Sequence, residues 1–180
     1  YPGHQVIEMG LVKLYRATGE KKYLDLAKFF LDIRGPGGNA YNQANKRVVD
    51  QTEAVGHAVR ATYMYSGMAD IAAIEKNNAY LNAITRIWED IVDGKIYLTG
   101  GIGATGGNEG FADPFVLPNM SAYCETCASI GDIFFNHRLF LLYGQSKYID
   151  ILEKTLYNSM LSGVSLSADR FFYPNPLESN

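Results

Sequence analysis

One helix-turn-helix junction occurs twice in this chain, and that recurrence limits its architecture more than any other feature. Leu14-Tyr15 followed by Gly19-Glu20-Lys21-Lys22-Tyr23-Leu24-Asp25 resembles Leu142-Tyr143-Gly144-Gln145-Ser146-Lys147-Tyr148-Ile149-Asp150. Both read as helix, tight turn, helix. Short amphipathic helices must bury an apolar stripe against a neighbour, and a short turn makes that neighbour antiparallel. Recurring hairpins of this kind stack as a solenoid or close into a ring. The reading is an all-α fold, part of an α/α toroid, with inner helix ends and loops building a site at one mouth.

Periodicity supports helices along most of the chain. Ile7, Leu11, Leu14 and Tyr15 return every three or four positions until Ala17-Thr18-Gly19 breaks the pattern. A second helix carries Tyr23, Leu26, Ala27, Phe30 and Ile33 on one stripe and ends at Gly35-Pro36-Gly37-Gly38. The third spans roughly 52–68, with Val55, Ala58, Val59 and Thr62 on one side. A fourth covers about 78–91 and buries Leu81, Ile84, Ile87 and Trp88; two more run roughly 122–142 and 148–161. Short extended pieces are expected at 95–98 and at 170–173, the latter stopped by Pro174 and Pro176. Residues 99–119 form a Gly-rich stretch without period, of a length that is usually functional or disordered in a compact domain. Its Phe111, Phe115, Val116 and Leu117 predict an ordered loop.

Composition narrows the function. At 180 residues the chain suits one domain or a large piece of one, and 47% hydrophobic with 19% charged residues argues against disorder. A net charge of −3 and a pI near 5.6 give no basic footprint for nucleic acid or an anionic membrane. No apolar run approaches bilayer length. The 13 tyrosines serve either as core or, where exposed, as platforms for sugar rings. The two Cys are too few for a disulfide framework. The chain opens Tyr1-Pro2-Gly3 without Met or signal peptide and ends at Ser179-Asn180 without a closing element, so it reads as an internal fragment. Secreted, periplasmic and cytoplasmic locations therefore all remain open.

Few residues are candidates for chemistry. Glu109, within Gly106-Gly107-Asn108-Glu109-Gly110-Phe111, is a carboxylate whose glycine neighbours permit close approach to a ligand, with Phe111 placed to desolvate it. The alternative is a solvated loop residue. Cys124-Glu125-Thr126-Cys127 lies where the loop enters a helix. It reads as a metal half-site, a redox pair or two small buried residues, and it cannot close a tetrahedral site alone. The strand-helix-strand setting of a thioredoxin-like pair is missing. His57 begins an apolar helix stripe, and Glu53, four residues earlier, would share its face, so the two could orient one another or hold a sugar hydroxyl. His4 is expected to be exposed at a helix start, and His137 on a helix surface. No Ser/His/Asp arrangement is evident, and Gly100-Gly101-Ile102-Gly103 lacks the setting of a nucleotide loop.

A longer ordered series is more specific than any of these. Tyr97-Leu98-Thr99-Gly100-Gly101-Ile102-Gly103, Asn108-Glu109-Gly110-Phe111, Leu117-Pro118-Asn119 and Tyr123-Cys124-Glu125-Thr126-Cys127-Ala128-Ser129-Ile130-Gly131 resemble glycoside hydrolase family 127, the β-L-arabinofuranosidase-like enzymes. Gly3-His4-Gln5-Val6-Ile7-Glu8, Ala54-Val55-Gly56-His57-Ala58-Val59-Arg60-Ala61 and Phe171-Phe172-Tyr173-Pro174-Asn175-Pro176-Leu177 extend the resemblance over nearly the whole chain.

The resemblance implies an (α/α)6 barrel, of which residues 1–180 are a part, followed by β-sandwich domains. It implies a zinc ion held by one Glu and three Cys, one of them the nucleophile of a retaining glycosidase. Carried over, the general acid/base falls on Glu109, zinc ligands on Glu125 and Cys127, and sugar contacts on His57 and His4. The family's other two zinc-site Cys are adjacent and lie beyond the position matching Asn180, so the nucleophile is expected there. Cys124 stands where relatives commonly have another residue and is not counted as a ligand. The expected substrate is an arabinofuranoside of plant glycans or glycoproteins; a homodimer is left open, and neither nucleic acid nor membrane is expected. The same fold and mechanism on another sugar, or an inactive carbohydrate-binding scaffold, are the alternatives.

Overall fold

The computed structural model of the chain describes residues 1–178, so the end read as lacking a closing element, Ser179-Asn180, lies outside the described residues. Among the described residues six α-helices form: α1 (Ile7–Thr18), α2 (Lys21–Asp32), α3 (Ala58–Glu75), α4 (Asn78–Asp90), α5 (Thr126–Tyr143) and α6 (Ser146–Thr155). They pair in sequence as three hairpins. Each hairpin turn has a left-handed residue at its C-cap, Gly19 (φ 73), Lys76 (φ 53) or Gly144 (φ 64), whose N–H returns to Tyr15, Ala72 or Phe140. The repeat seen in the sequence marks the first and third hairpins. Lysine in place of glycine hides the second, where Asn77 caps α4 by accepting from the N–H groups of Ala79 and Tyr80.

Helix α3 packs on α1 and on α5, while α4 and α6 pack chiefly on their own hairpin partners. The helices α1, α3 and α5 thus form an inner row and α2, α4 and α6 an outer one. The sequence follows this placement. The inner α3 buries residues around its circumference, including Val59, Met64, Tyr65, Met68 and Ile71, whereas α4 buries only a stripe of Tyr80, Ala83, Ile84, Ile87 and Trp88. One core runs through all six helices. At its centre Tyr65 and Phe135 lie 5.5 Å apart, and the Trp88 indole N–H donates to Asn136 at 2.7 Å.

Several expectations need correction. Helix α3 begins at Ala58 rather than near residue 52, because other segments have claimed the preceding backbone. Ala54 N–H donates to Asp90 at 2.7 Å, and the Val55 carbonyl accepts from Gln43 at 2.8 Å. Helix α5 begins at Thr126 rather than near 122, since Cys124 N–H bonds Gly103 and the carbonyls of Tyr123 and Cys124 accept from Asn175. The sixth helix closes at Thr155 and continues as a π-turn, Leu156–Met160. The two expected extended pieces amount to isolated bridges, Ile96 with Ile102 and Val164 with Phe171, and Lys95 belongs to a π-turn after α4. The buried faces of α1 and α2 are rotated from the expected stripes. Leu24, Ala27 and Leu31 point inward on α2 while Leu26 is exposed, and on α1 Met9, Leu11 and Val12 are buried while Ile7 and Leu14 are exposed. On α4, Leu81 is only half-buried.

Candidate active site

The site forms where three backbone segments meet at the N-terminus of α3. His57 N–H donates to the Tyr41 carbonyl (3.0 Å), Phe111 N–H to Gly56 (2.9 Å) and Ala58 N–H to Glu109 (3.0 Å). This approach is possible only with glycine: a Cβ on Gly56 (φ +70) would lie 2.0 Å from the Ala40 carbonyl oxygen, and one on Gly110 would lie 2.1 Å from that of Gly56. Thr105 and Gly110 exchange both backbone hydrogen bonds at 3.1 Å, closing a turn with Glu109 in left-handed backbone (φ 51). His57 is therefore the N-cap of α3, not a member of a helical stripe. Its Nδ1 accepts from the Arg60 N–H at 3.4 Å, which leaves the proton on Nε2, 3.0 Å from Glu109 Oε2.

The expected pairing of His57 with Glu53 does not form, because residues 52–57 are not helical. Glu53 instead faces Lys46 and Lys95, at 3.8 and 4.0 Å. Tyr41 and His4 present their rings edge-on to His57 at 5.5 and 6.0 Å, and Arg60 lies over Tyr41 at 5.1 Å. His4 is exposed as expected, and partial burial, with the Arg60 guanidinium nearby, holds its imidazole below the ordinary range. Behind it the buried Gln5 side chain donates to Gln43 at 2.6 Å, and Gln43 in turn donates to the carbonyls of Val55 (2.8 Å) and His57 (3.2 Å). This amide chain ties the N-terminal segment to the α3 cap. His137 is on the exposed side of α5, as expected.

Glu125 and Cys127 occupy the start of α5. Glu125 is the N-cap residue, 2% exposed, and its Oε2 is buried without a hydrogen-bond partner. That orphaned oxygen fits a cation, because a buried carboxylate left unmatched is costly. The Cys127 thiol is half-buried and pushed up to about 11, first by burial and then by the Glu125 carboxylate. Ligand atoms of His57, Glu109 and Glu125 all lie within 4.8 Å of one another and could hold a metal ion. Imidazole, carboxylate and thiolate donors are the set zinc accepts. Cys124, three residues from Cys127, is different: fully buried in a small cluster with Tyr97, Ala104 and Ala122, its thiol is pushed up to about 12 by burial alone.

The structure thus brings together all five candidates, His4, His57, Glu109, Glu125 and Cys127. Sequence reasoning missed Tyr41, Arg60, Tyr123 and Tyr173 as site residues. The Glu125 carboxylate, followed by burial, raises the Tyr173 phenol far above the ordinary tyrosine range. The high tyrosine content was the available signal, but no spacing joins residues so far apart in the chain.

Fold and site together define part of an α/α toroid in which two carboxylates, an imidazole and a thiol gather where the loops meet the N-termini of α3 and α5. The chain belongs to the GH127 β-L-arabinofuranosidase catalytic-domain family, whose model matches residues 1–180. It is part of an (α/α)6 barrel. It is 36% identical to a non-reducing end β-L-arabinofuranosidase of Bifidobacterium longum subsp. longum, over 98% of this chain and 30% of that protein. A solved GH127 β-arabinofuranosidase superposes with a TM-score of 0.98 at 64% identity, over 99% of this chain and 28% of the other. The GH127 β-L-arabinofuranosidase of Geobacillus stearothermophilus T6 gives 0.96 at 42% identity, over 99% of this chain and 32% of its own. The chain therefore spans about a third of these relatives. Among the described residues no helix is long and apolar enough to cross a membrane.

Proposed function

We propose that the full-length protein is a zinc-dependent retaining glycoside hydrolase. It removes L-arabinofuranose, or a closely related pentose, from the non-reducing ends of plant glycans or glycoproteins. The observation that carries this reading is the Glu109 carboxylate, 3.0 Å from the His57 Nε2, beside a buried Glu125 oxygen that lacks a partner.

In this reading Glu109 protonates the departing glycosidic oxygen and then takes a proton from the water that releases the sugar. His57 donates through Nε2 and, with His4, borders the sugar. Glu125 and Cys127 hold zinc together with cysteines from a part of the protein beyond this sequence, one of which attacks the anomeric carbon. Bound there, zinc would keep its thiol ligands deprotonated at neutral pH, a state Cys127 does not reach beside two carboxylates on its own. β-Sandwich domains follow the barrel in the whole protein.

The test is hydrolysis of a panel of aryl pentosides by the full-length protein, with and without a zinc chelator. An arabinofuranoside should be turned over fastest and the chelator should abolish turnover. Glu109→Ala should lower turnover by roughly 10²–10⁴-fold while the melting temperature is kept. Unchanged hydrolysis in that variant would refute the acid/base role, and sugar binding without turnover by the wild type would favour a scaffold.

A further inference from the structure

Three backbone carbonyls beside the site converge on one side chain. Gln43 follows the single 3₁₀ turn Ala40–Asn42 and is fully buried. Its amide nitrogen lies 2.8 Å from the Val55 carbonyl oxygen and 3.2 Å from those of Tyr41 and His57, so two N–H groups are shared among three acceptors. A carbonyl only accepts, which fixes the nitrogen on that side and turns the amide oxygen toward Gln5. The buried Gln5 amide donates to that oxygen at 2.6 Å and to the Asn42 carbonyl at 2.8 Å. Glutamate at position 43 would set a carboxylate against three carbonyl oxygens, and methionine would leave them without a donor.

The backbone of Gln43 is left-handed (φ 56), a conformation that glycine takes freely and glutamine does not. Its N–H returns to the Ala40 carbonyl at 3.0 Å, and its own carbonyl accepts from Gln51 at 2.9 Å. A residue strained in this way persists where its surroundings over-determine it. Here those surroundings carry the aromatic wall of the site. His4 directly precedes Gln5, with its Nδ1 3.0 Å from the Gln5 carbonyl oxygen, and the Tyr41 and His4 rings meet His57 edge-on. His4 and His57 lie far apart in the chain on different elements, and the Gln5–Gln43 amide pair spans the gap between them.

We propose that Gln43 is a positioning residue for substrate binding. Through Gln5 and the His57 carbonyl it sets the spacing of His4 and His57 across the sugar, and through the Tyr41 carbonyl it keeps that ring against His57. Buried behind the wall, it touches no substrate itself. The inference rests on the reading of His4 and His57 as the residues that border the sugar.

A split between KM and kcat separates this role from a merely structural one. Lost stability lowers the folded fraction, and with it the apparent kcat, while KM stays; displaced binding residues raise KM. The full-length Gln43→Met protein is compared with wild type and with the core variant Phe135→Ala on 4-nitrophenyl arabinofuranoside, below the unfolding transition of all three. We expect KM to rise about fivefold or more in Gln43→Met and to keep its wild-type value in Phe135→Ala. A KM in Gln43→Met no higher than that of Phe135→Ala would overturn the proposal. Should Gln43→Met fail to fold by circular dichroism, Gln5→Met breaks the same link from its other end and is judged by the same comparison. If the wild type hydrolyses no arabinofuranoside, the functional reading fails by itself, and crystal structures of wild type and variant then decide the inference. His4 and His57 rings further apart in the variant support it, and an unchanged separation rejects it.

Discussion

The helical framework and the loop layer over it are held by different forces. In the framework a continuous apolar core contains Tyr65, Met68, Ile84, Ile87 and Phe135, all fully buried. In the loop layer the apolar cluster is small, only Tyr97, Ala104, Ala122 and Cys124. Its shape comes from hydrogen bonds between distant segments instead: Tyr97 N–H to Gly101 (2.8 Å), Cys124 N–H to Gly103 (2.8 Å) and the Tyr97 hydroxyl to Pro118 (3.0 Å). Hydrophobic burial is non-directional and roughly proportional to area, so it stabilises without fixing a site to a fraction of an ångström. Directional hydrogen bonds do that, and every candidate site residue lies in the loops or at a helix N-terminus.

The largest expected effect breaks the loop layer's function and spares the framework. Cys127→Ala in the full-length protein should lose stoichiometric zinc by metal analysis and lower hydrolysis by at least about a hundredfold. The helical circular dichroism signal should stay. Retained zinc with full activity would remove Cys127 from the ligand set. Phe135→Ala is the converse. It truncates a ring in the centre of the framework, against Tyr65, and should cost about 3–5 kcal/mol in denaturant unfolding. Below the unfolding transition, KM and zinc content should match wild type. A variant with intact stability but altered KM would show that the two regions are not separable in this way.

The sequence exposed these regions unequally. Hairpins are local, so the Gly19 and Gly144 turns and the amphipathic period were readable, although the inward faces of α1 and α2 are rotated from the expected stripes. The stripe is chosen by which neighbours a helix meets, and periodicity does not contain that. The His57–Glu109 contact spans 52 residues and depends on a three-backbone junction at Gly56, which no spacing rule encodes. A helix extrapolated back to residue 52 gave His57 the wrong partner, Glu53. The five site residues came from an ordered series of motifs resembling a family, and Tyr123 and Tyr173 stood within that series without any local mark of a role. Cys124 and Cys127 look alike in the sequence and differ only in what surrounds them.

A third variant probes the seam between the regions. Asp132 on α5 is fully buried, and the Thr155 hydroxyl beneath the loop layer contacts both the Gly100 carbonyl (3.1 Å) and Asp132 Oδ2 (3.4 Å). Burial pushes the Asp132 carboxyl up to about 7. An unfolded Asp titrates near 3.9, so between about pH 4 and 7 the folded state holds the extra proton. Stability should therefore fall as pH rises through that window. Asp132→Asn removes the titration: its melting temperature should change less between pH 5 and 8 than that of wild type, by a few degrees. Parallel curves for the two proteins would show that Asp132 does not govern this joint.

The smallest effect gives the sharpest contrast. The Cys124 sulfur lies 3.2 Å from where a Cβ on Gly101 would sit, so it fills space between the loop and its own backbone. Cys124→Ala should cost about 1 kcal/mol, as expected for a small buried side chain reduced by one heavy atom. Zinc content should stay stoichiometric and hydrolysis within about twofold, since this buried thiol packs with Tyr97, Ala104 and Ala122. If the variant instead loses zinc alongside Cys127→Ala, the C-x-x-C acts as one half-site. The division between a thiol that packs the loop layer and a thiol that serves the site would then be wrong.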